Sequence, residues 1–380
     1  APRTFGLSAT GLVSARTRLA HGDARLATPL AQLRAEADQL LALKPASVLD
    51  KTRTAASGDP HDYFSLGPYW WPDPAKPDGR PYIRRDGERN PEIKQGTDND
   101  AFGRTCEAVE TLGLAYWFTG DERYAQKAAT LTRVWFLDPA TRMNPNLEHA
   151  QAIPGINNGR GIGIIEAHRL IGLLDGLALI AGSPAWPADT AAAMRLWLAD
   201  YYRWLTTSKN GLDEATEKNN HGSWYDAHVA DLALVLGRTD DAKKILTAFP
   251  TKRIASQIEP DGSQPLELAR TKSLNYSIFN LEALFMLSRL GEQVGVDGWN
   301  FVTKDGHSLR QALLYVAPYV DPAKKWPKED IEDADRSRLL PLLAAASEHY
   351  GDPVFRELFE KISGHPAPGE HWWLCLPGRP

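Results

Sequence analysis

The sequence predicts an all-α protein whose helices pair into about six to seven hairpins of an (α/α) toroid, an incomplete barrel. Three observations support this fold class. Apolar residues recur at spacings of three and four in many stretches, strand signals are very few, and short turns alternate with long polar loops. No repeat of fixed period is visible, so a regular solenoid is not expected. A large irregular helical bundle is the competing architecture.

The predicted helices are separated by residues that commonly end or begin a helix. Leu26, Leu30 and Leu33 illustrate the apolar spacing, and Gly120 is a typical helix end. In chain order, the predicted helices cover roughly residues 6–43 (as two helices), 100–119, 121–135, 162–182, 187–208, 221–237, 240–248, 266–291, 306–317, 334–350 and 353–362.

One long segment, at about residues 60–96, has almost no helical periodicity. A loop of this length is usually either functional or disordered, and its aromatic residues favour order. Tyr63, Tyr69, Trp70 and Trp71 are candidates for stacking on sugar rings, with a hydrophobic plug as the alternative. We therefore predict one domain over residues 1–380, with this aromatic loop at one rim.

Composition excludes several classes of partner and cofactor. The 380 residues are 43% hydrophobic and 24% charged, as expected for a globular chain. A net charge of -5 without blocks of like charge argues against a nucleic-acid partner, and no apolar run is long enough for a membrane span. No metal, phosphate or other cofactor motif is present. Cys106 and Cys375 are predicted to be free thiols, with a long-range disulfide as the alternative.

The start of the chain bears on localisation. The sequence begins at Ala1 without Met and contains no signal-like apolar segment. We expect a periplasmic or secreted protein whose signal peptide has been removed, or a trimmed chain.

The first polar motif lies where a helix is predicted to begin, at Lys218–Tyr225. Asparagine is a preferred N-cap residue, which places His221 in the first helical turn. A helix N-terminus disfavours the imidazolium, so His221 is expected to be neutral and available as a base. A capping Asn followed by a packed His is the alternative for this motif.

The second polar motif lies on the helix predicted at about 266–291. Lys272 and Tyr276 would share one stripe of a continuous helix, and the lysine would favour the phenolate. Arg270 is about 120° from Tyr276 around such a helix, so it reaches Tyr276 only if its side chain curls inward or the first turn is open. Glu267, three residues earlier, is a candidate to orient Arg270.

These residue types suit proton abstraction beside a carboxylate better than glycoside hydrolysis. Hydrolysis requires two carboxylic acids at a defined separation, and the sequence shows no obvious pair. Cleavage of a uronate polymer by β-elimination needs donors on the substrate carboxylate, a base for the C5 proton and an acid for O4.

The motifs Asn219–His221, Gln264–Asn280 and Tyr63–Pro74 resemble the alginate lyase-like superfamily. The resemblance covers roughly residues 50–347 and is closest to polysaccharide lyase family 38, more distant to family 5. It implies an (α/α) toroid and a cofactor-free lyase acting on an acidic polysaccharide, either alginate (polymannuronate) or glucuronan. The spacing from Arg to Tyr differs by about one residue from that of family 5.

The resemblance also implies roles for individual residues. Asn220 and Arg270 would neutralise the substrate carboxylate. Tyr276 would be the acid and, in syn elimination, also the base. His221 would be the base for the opposite C5 epimer, or a helper. The further candidates for substrate binding are Asn219, Trp224, His228, Gln151, Arg160, Gln264 and Lys272, together with the four loop aromatics.

Two other functions compete with this interpretation. A hydrolase on the same fold would need an acid pair, for which Asp226 and Glu148 are the nearest candidates. A non-catalytic polysaccharide-binding protein would keep the aromatics and Arg but would have no use for Tyr276 and His221.

Overall fold

The structure is a computed structural model that describes residues 1–362 and 371–376. This part of the chain is mainly α-helical, as predicted. The α-helices are α1 (Ala9–Ala20), α2 (Ala27–Leu41), α3 (Asn99–Thr119), α4 (Glu122–Thr132), α5 (Leu170–Leu179), α6 (Ala188–Thr207), α7 (Lys209–Ala215), α8 (Asn220–Val235), α9 (Thr239–Phe249), α10 (Ala255–Gln257), α11 (Pro265–Leu268), α12 (Ser273–Glu292), α13 (Leu309–Val316), α14 (Leu339–His349) and α15 (Pro353–Ile362). None of those helices combines the length and apolar character needed to cross a membrane.

Four short strands were not predicted. They are β1 (Phe64–Leu66), β2 (Trp70–Trp71), β3 (Ile83–Arg84) and β4 (His149–Ala152). β1 pairs with β4 in parallel, and β2 pairs with β3 in antiparallel. Strands of two to four residues are too short for an alternating pattern to be recognised in the sequence. The pairs give the aromatic loop at about 60–96 an ordered backbone.

Two predicted helices differ from the observed ones. The stretch predicted at 162–182 begins with 3-10 turns over Gly161–Arg169 before α5 starts. The helix predicted at about 266–291 is divided into α11 and α12 by a link at 269–272. The link is held by hydrogen bonds from elsewhere in the chain: Ile331 donates to the Thr271 carbonyl, and Ser273 donates to the Glu329 carbonyl.

The chain divides into two compact units. Unit 1 comprises Ala1–Leu7 and Leu30–Ala215, and unit 2 comprises Ser8–Pro29 and Thr216–Pro380. The single domain predicted over 1–380 includes 363–370 and 377–380, which lie outside the described residues, and it stays a prediction.

Unit 1 is built around aromatic side chains and a close helix pair. Phe102 lies 5.7 Å from both Tyr63 and Trp135, measured between ring centroids. α3 and α5 approach so closely that a Cβ on Gly113 would lie 2.5 Å from the Gly176 carbonyl oxygen. Glycine is therefore required at this contact, and α3 ends at Gly120, as predicted, in the left-handed conformation at φ 71°.

Unit 2 is organised around α8 and α12, the two helices that carry the polar motifs. The Trp224 ring on α8 packs against Phe279 on α12, with centroids 5.2 Å apart, and the indole N–H donates to the Phe279 carbonyl at 3.1 Å. Leu232, Ile278 and Leu281 are fully buried. This packing fixes the two polar motifs relative to each other.

Candidate active site

The N-terminus of α8 presents the first motif in a defined order. Asn219 is the N-cap, and its Oδ1 accepts the His221 backbone N–H at 3.1 Å. Asn220 is then the first helical residue and His221 lies in the first turn, as predicted. His221 is half-buried, whereas Asn220 is completely buried. The capping role therefore belongs to Asn219, which leaves the Asn220 amide for another partner.

That partner is Glu267, in α11. The Glu267 carboxylate accepts the Asn220 backbone N–H at 2.6 Å and its side-chain Nδ2–H at 2.7 Å. Glu267 is 1% exposed, and burial raises the pKa of its carboxyl to about 7. The hydrogen bonds from Asn220 and the charges of His221 and Arg270 act in the opposite direction. Sequence reasoning considered Glu267 only as a neighbour of Arg270 and missed its contact with Asn220.

Arg270 and Tyr276 form a close pair because the helix is interrupted between them. The Arg270 Nη2 donates to the Tyr276 hydroxyl oxygen at 2.9 Å, and its guanidinium carbon lies 3.8 Å from the ring centroid. The sequence allowed Arg270 to reach Tyr276 if the first turn of the helix was open, and the break between α11 and α12 provides this opening. A cation that donates to the phenolic oxygen stabilises the phenolate, while the neutral phenol keeps a proton to give.

Lys272 does not share the Tyr276 stripe, because it precedes α12. It is 4% exposed, and its Nζ lies 2.5 Å from a Glu332 carboxylate oxygen. The prediction that Lys272 favours the phenolate and binds substrate is therefore corrected. Lys272 anchors the link between the two helices.

Three other residues of unit 2 that were predicted to bind substrate are buried in this structure. Gln264 is 2% exposed, donating to the Ser277 carbonyl and accepting from Asn280. Trp224 packs on Phe279, as described above, and His228 is 2% exposed. In this structure these three side chains pack in the core of unit 2, and their predicted contact with substrate stays a prediction.

Unit 1 contains the aromatic loop, in which one predicted contact is wrong. Tyr63 has no exposed surface, and its hydroxyl donates to the Glu166 carboxylate at 2.7 Å. It is a core residue rather than a stacking platform. Tyr69, Trp70 and Trp71 are half-buried and keep accessible ring surface.

A second polar cluster in unit 1 surrounds Arg160. Its Nη2 donates to Gln151 Oε1 at 2.8 Å, and its guanidinium carbon lies 5.9 Å from the Trp70 ring centroid. Its Nε is buried and has no hydrogen-bond partner among the described residues. Burial is the main reason that the pKa of Arg160 falls to about 10. Gln151 itself has a left-handed backbone with φ 49°, a conformation rare outside glycine.

The buried Glu166 was missed by sequence reasoning. It accepts from Ser65 as well as from Tyr63, each at 2.7 Å, and burial raises its pKa. Its partners lie about a hundred residues away in sequence, so no local pattern indicates it.

The acid pair required by a hydrolase is not supported. Asp226 is buried, and its carboxylate accepts from Arg253 at 2.7 Å and from Lys252 at 3.0 Å. Each of its two oxygens is therefore occupied by a cationic donor. Glu148, the other candidate, is exposed and accepts the Trp204 indole N–H at 3.2 Å.

Comparison with known proteins is consistent with this geometry. The alginate lyase family model matches residues 47–326. A crystal structure of an alginate lyase from Bacteroides ovatus is similar at 40% identity, covering 99% of each chain with a TM-score of 0.94. The search of curated proteins found no match.

Two structures of alginate lyase A1-III, an enzyme from Sphingomonas species A1, are similar in fold. A histidine-to-alanine variant complexed with tetrasaccharide is 18% identical, covers 100% of this chain and 97% of that chain, and has a TM-score of 0.60. A tyrosine-to-phenylalanine variant complexed with tetrasaccharide is 18% identical, covers 92% and 89%, and has a TM-score of 0.56. Together with the Bacteroides structure, these likenesses confirm the predicted (α/α)-toroid class.

Proposed function

Because this chain belongs to the alginate lyase family of polysaccharide lyases, we propose that it cleaves alginate at mannuronate residues by β-elimination. One observation carries the proposal: Arg270 donates to the hydroxyl of Tyr276 at 2.9 Å in the unit that also contains His221. A phenol paired with a guanidinium can accept and return a proton without a carboxylate.

The reaction breaks two bonds of the substrate, C5–H and C4–O4, and forms two, the C4–C5 π bond and O4–H. The base removes the C5 proton, the C5 electron pair forms the C4–C5 double bond, and the C4–O4 bond breaks with protonation of O4. In mannuronate, the C5 hydrogen and O4 lie on the same face of the ring, so the elimination is syn. Tyr276 then serves as base in its phenolate form and returns the same proton to O4.

Charge on the substrate must be stabilised while the C5 proton leaves. We assign this role to Arg270 together with the Asn220 amide, since preorganised donors typically contribute about 10²- to 10³-fold each. The half-buried His221 assists in the syn reaction and is the base for the opposite C5 epimer.

Unit 1 offers chemistry suited to binding a polyanion. Arg160 is half-buried without an ion-pair partner among the described residues, and the Trp70 ring lies beside it. A guanidinium that has an N–H without a hydrogen-bond partner favours a carboxylate ligand, and an aromatic ring favours the apolar face of a sugar. We propose that Arg160, Trp70, Tyr69 and Trp71 bind uronate units of the polymer.

Two finer assignments belong to the same proposal. Glucuronan presents the same syn relation between the C5 hydrogen and O4, so it is the alternative substrate. A periplasmic or secreted location is proposed because the polymer is too large to cross a membrane unaided.

The proposal is tested by incubating the protein separately with polymannuronate, polyguluronate and glucuronan. Elimination produces a 4,5-unsaturated end that absorbs in the ultraviolet, and we expect this signal to be strongest with polymannuronate. A dominant glucuronan signal would reassign the substrate. New reducing ends without absorbance would indicate a hydrolase, and neither signal on any polymer would indicate a binding protein.

A further inference from the structure

The buried contact between Glu267 and Asn220 determines which end of the Asn220 amide faces its surroundings. An ionised carboxylate can only accept hydrogen bonds. Both of its contacts with Asn220 are short, at 2.6 Å to the backbone N and 2.7 Å to Nδ2. The NH₂ end of the amide must therefore point to Glu267, and the oxygen must point away from it.

The carbonyl end of the Asn220 side chain lacks a hydrogen-bond donor among the described residues. Its Oδ1 is buried and has no hydrogen-bond partner in the described part of the chain. A buried acceptor without a donor is energetically unfavourable, so such a group calls for an explanation. Asn219 already caps the helix, which removes capping as the reason for the position of Asn220.

We propose that Glu267 is a positioning residue of the lyase reaction. It locks the Asn220 amide so that the second Nδ2–H is presented to the substrate carboxylate, while Oδ1 is left to accept from a sugar hydroxyl. This inference rests on the proposed function, because it needs a uronate carboxyl at the site. An N–H donor held in a fixed direction stabilises the negative charge that develops on the carboxylate as the C5 proton leaves.

The surroundings of Glu267 make its orienting role dependent on its charge. His221 and Arg270 are the charged or titratable groups that act on it, besides the two hydrogen bonds from Asn220. When Glu267 is protonated it gains an O–H donor, and the reversed amide, with Oδ1 toward Glu267, becomes equally possible. The ionised form is therefore the one that holds the productive orientation.

The kinetic test compares Glu267→Gln, Asn220→Ala and the double variant on polymannuronate. Glutamine has nearly the same shape but can face either end of the amide. We expect Glu267→Gln to lower kcat by roughly 10- to 100-fold, the range for residues that orient a catalytic ligand, with KM changed less than about threefold. The double variant should be no slower than Asn220→Ala, because both changes remove one function. The exposed Glu259→Gln is the matched control and should behave as wild type.

The pH profile separates positioning from a merely structural role. For the wild type we expect kcat to fall as pH drops through about 7, where Glu267 takes up its proton. In Glu267→Gln this contribution to the acidic limb should disappear. An unchanged limb, a Glu267→Gln kcat within twofold of wild type, or losses that multiply in the double variant would each overturn the proposal.

A measurement without substrate keeps the test valid if a variant fails to fold or the polymer is not cleaved. Wild-type protein labelled with ¹⁵N-asparagine should show one side-chain amide pair that is protected from exchange and moves with pH as Glu267 titrates. The pair is assigned by its loss in Asn220→Ser. Absence of any such resonance refutes the contact between Glu267 and Asn220. Its presence without lyase activity on any polyuronate refutes only the proposed function.

Discussion

Removing the Tyr276 hydroxyl is the most direct perturbation of the proposed chemistry. In Tyr276→Phe the ring remains under the Arg270 guanidinium, which lies 3.8 Å from its centroid. The hydrogen bond of 2.9 Å from Arg270 Nη2 is lost. The substitution therefore separates the proton-transfer function of the side chain from its packing.

The two expected magnitudes differ widely. A positioned acid or base contributes about 10²- to 10⁴-fold, which corresponds to about 2.7 to 5.4 kcal/mol at 1.36 kcal/mol per tenfold. The stability cost should be about 1 kcal/mol or less, because Arg270 is only half-buried and water can replace the lost acceptor. Turnover should thus fall far more than the unfolding free energy.

The assay measures initial rates on polymannuronate by ultraviolet absorbance, and Tm in the same buffer. Tyr315→Phe, at a half-buried tyrosine of α13, is the matched control and should change neither quantity. We expect kcat of Tyr276→Phe to drop at least about 100-fold with KM nearly unchanged. A kcat within tenfold of wild type would remove Tyr276 from the proton transfers and refute the mechanism.

Three further predictions follow from other residues. His221→Ala should cost less turnover on polymannuronate than Tyr276→Phe, since Tyr276 alone serves both proton transfers in syn elimination; equal losses would make His221 a required base. Arg160→Met should raise KM about 10- to 100-fold, which corresponds to the loss of one charge-assisted hydrogen bond. Arg104→Met, at an exposed arginine, is the control and should leave KM unchanged. If the two variants have the same KM, Arg160 does not bind the substrate. Cys106 is fully buried, and burial raises the pKa of its thiol. A thiol reagent should therefore label only the half-buried Cys375 in the native protein, and both cysteines after denaturation. Rapid labelling of Cys106 in the native protein would contradict the packing.

The helices could be predicted because their apolar residues repeat with the helical period. In α3 the periodic stretch also ends at a glycine, Gly120, which marks the end of the helix. The aromatic loop has no period, so nothing in the sequence distinguishes the buried Tyr63 from the accessible Trp70. Periodicity was also misleading for Lys272, because hydrogen bonds from a distant segment interrupt the helix there.

The residues of the candidate site could be predicted from the sequence, but the contacts between them could not. The types and order of Asn220, His221, Arg270 and Tyr276 indicated proton abstraction beside a carboxylate. The Glu267 contact joins residues 47 positions apart, and its existence depends on how α8 and α11 pack. Long-range contacts of buried polar groups are set by tertiary structure, which local pattern does not encode.

The link between α11 and α12 has a consequence for how related sequences can vary. In a continuous helix, inserting or deleting one residue between an arginine and a tyrosine changes the angle between the two side chains around the helix axis by about 100°. In a non-helical link at 269–272, the same change alters only the path of the chain, while α12 keeps its register in the core. The spacing between the guanidinium and the phenol can therefore drift during evolution without loss of the pair. Searches for such enzymes should accept a variable gap at this point.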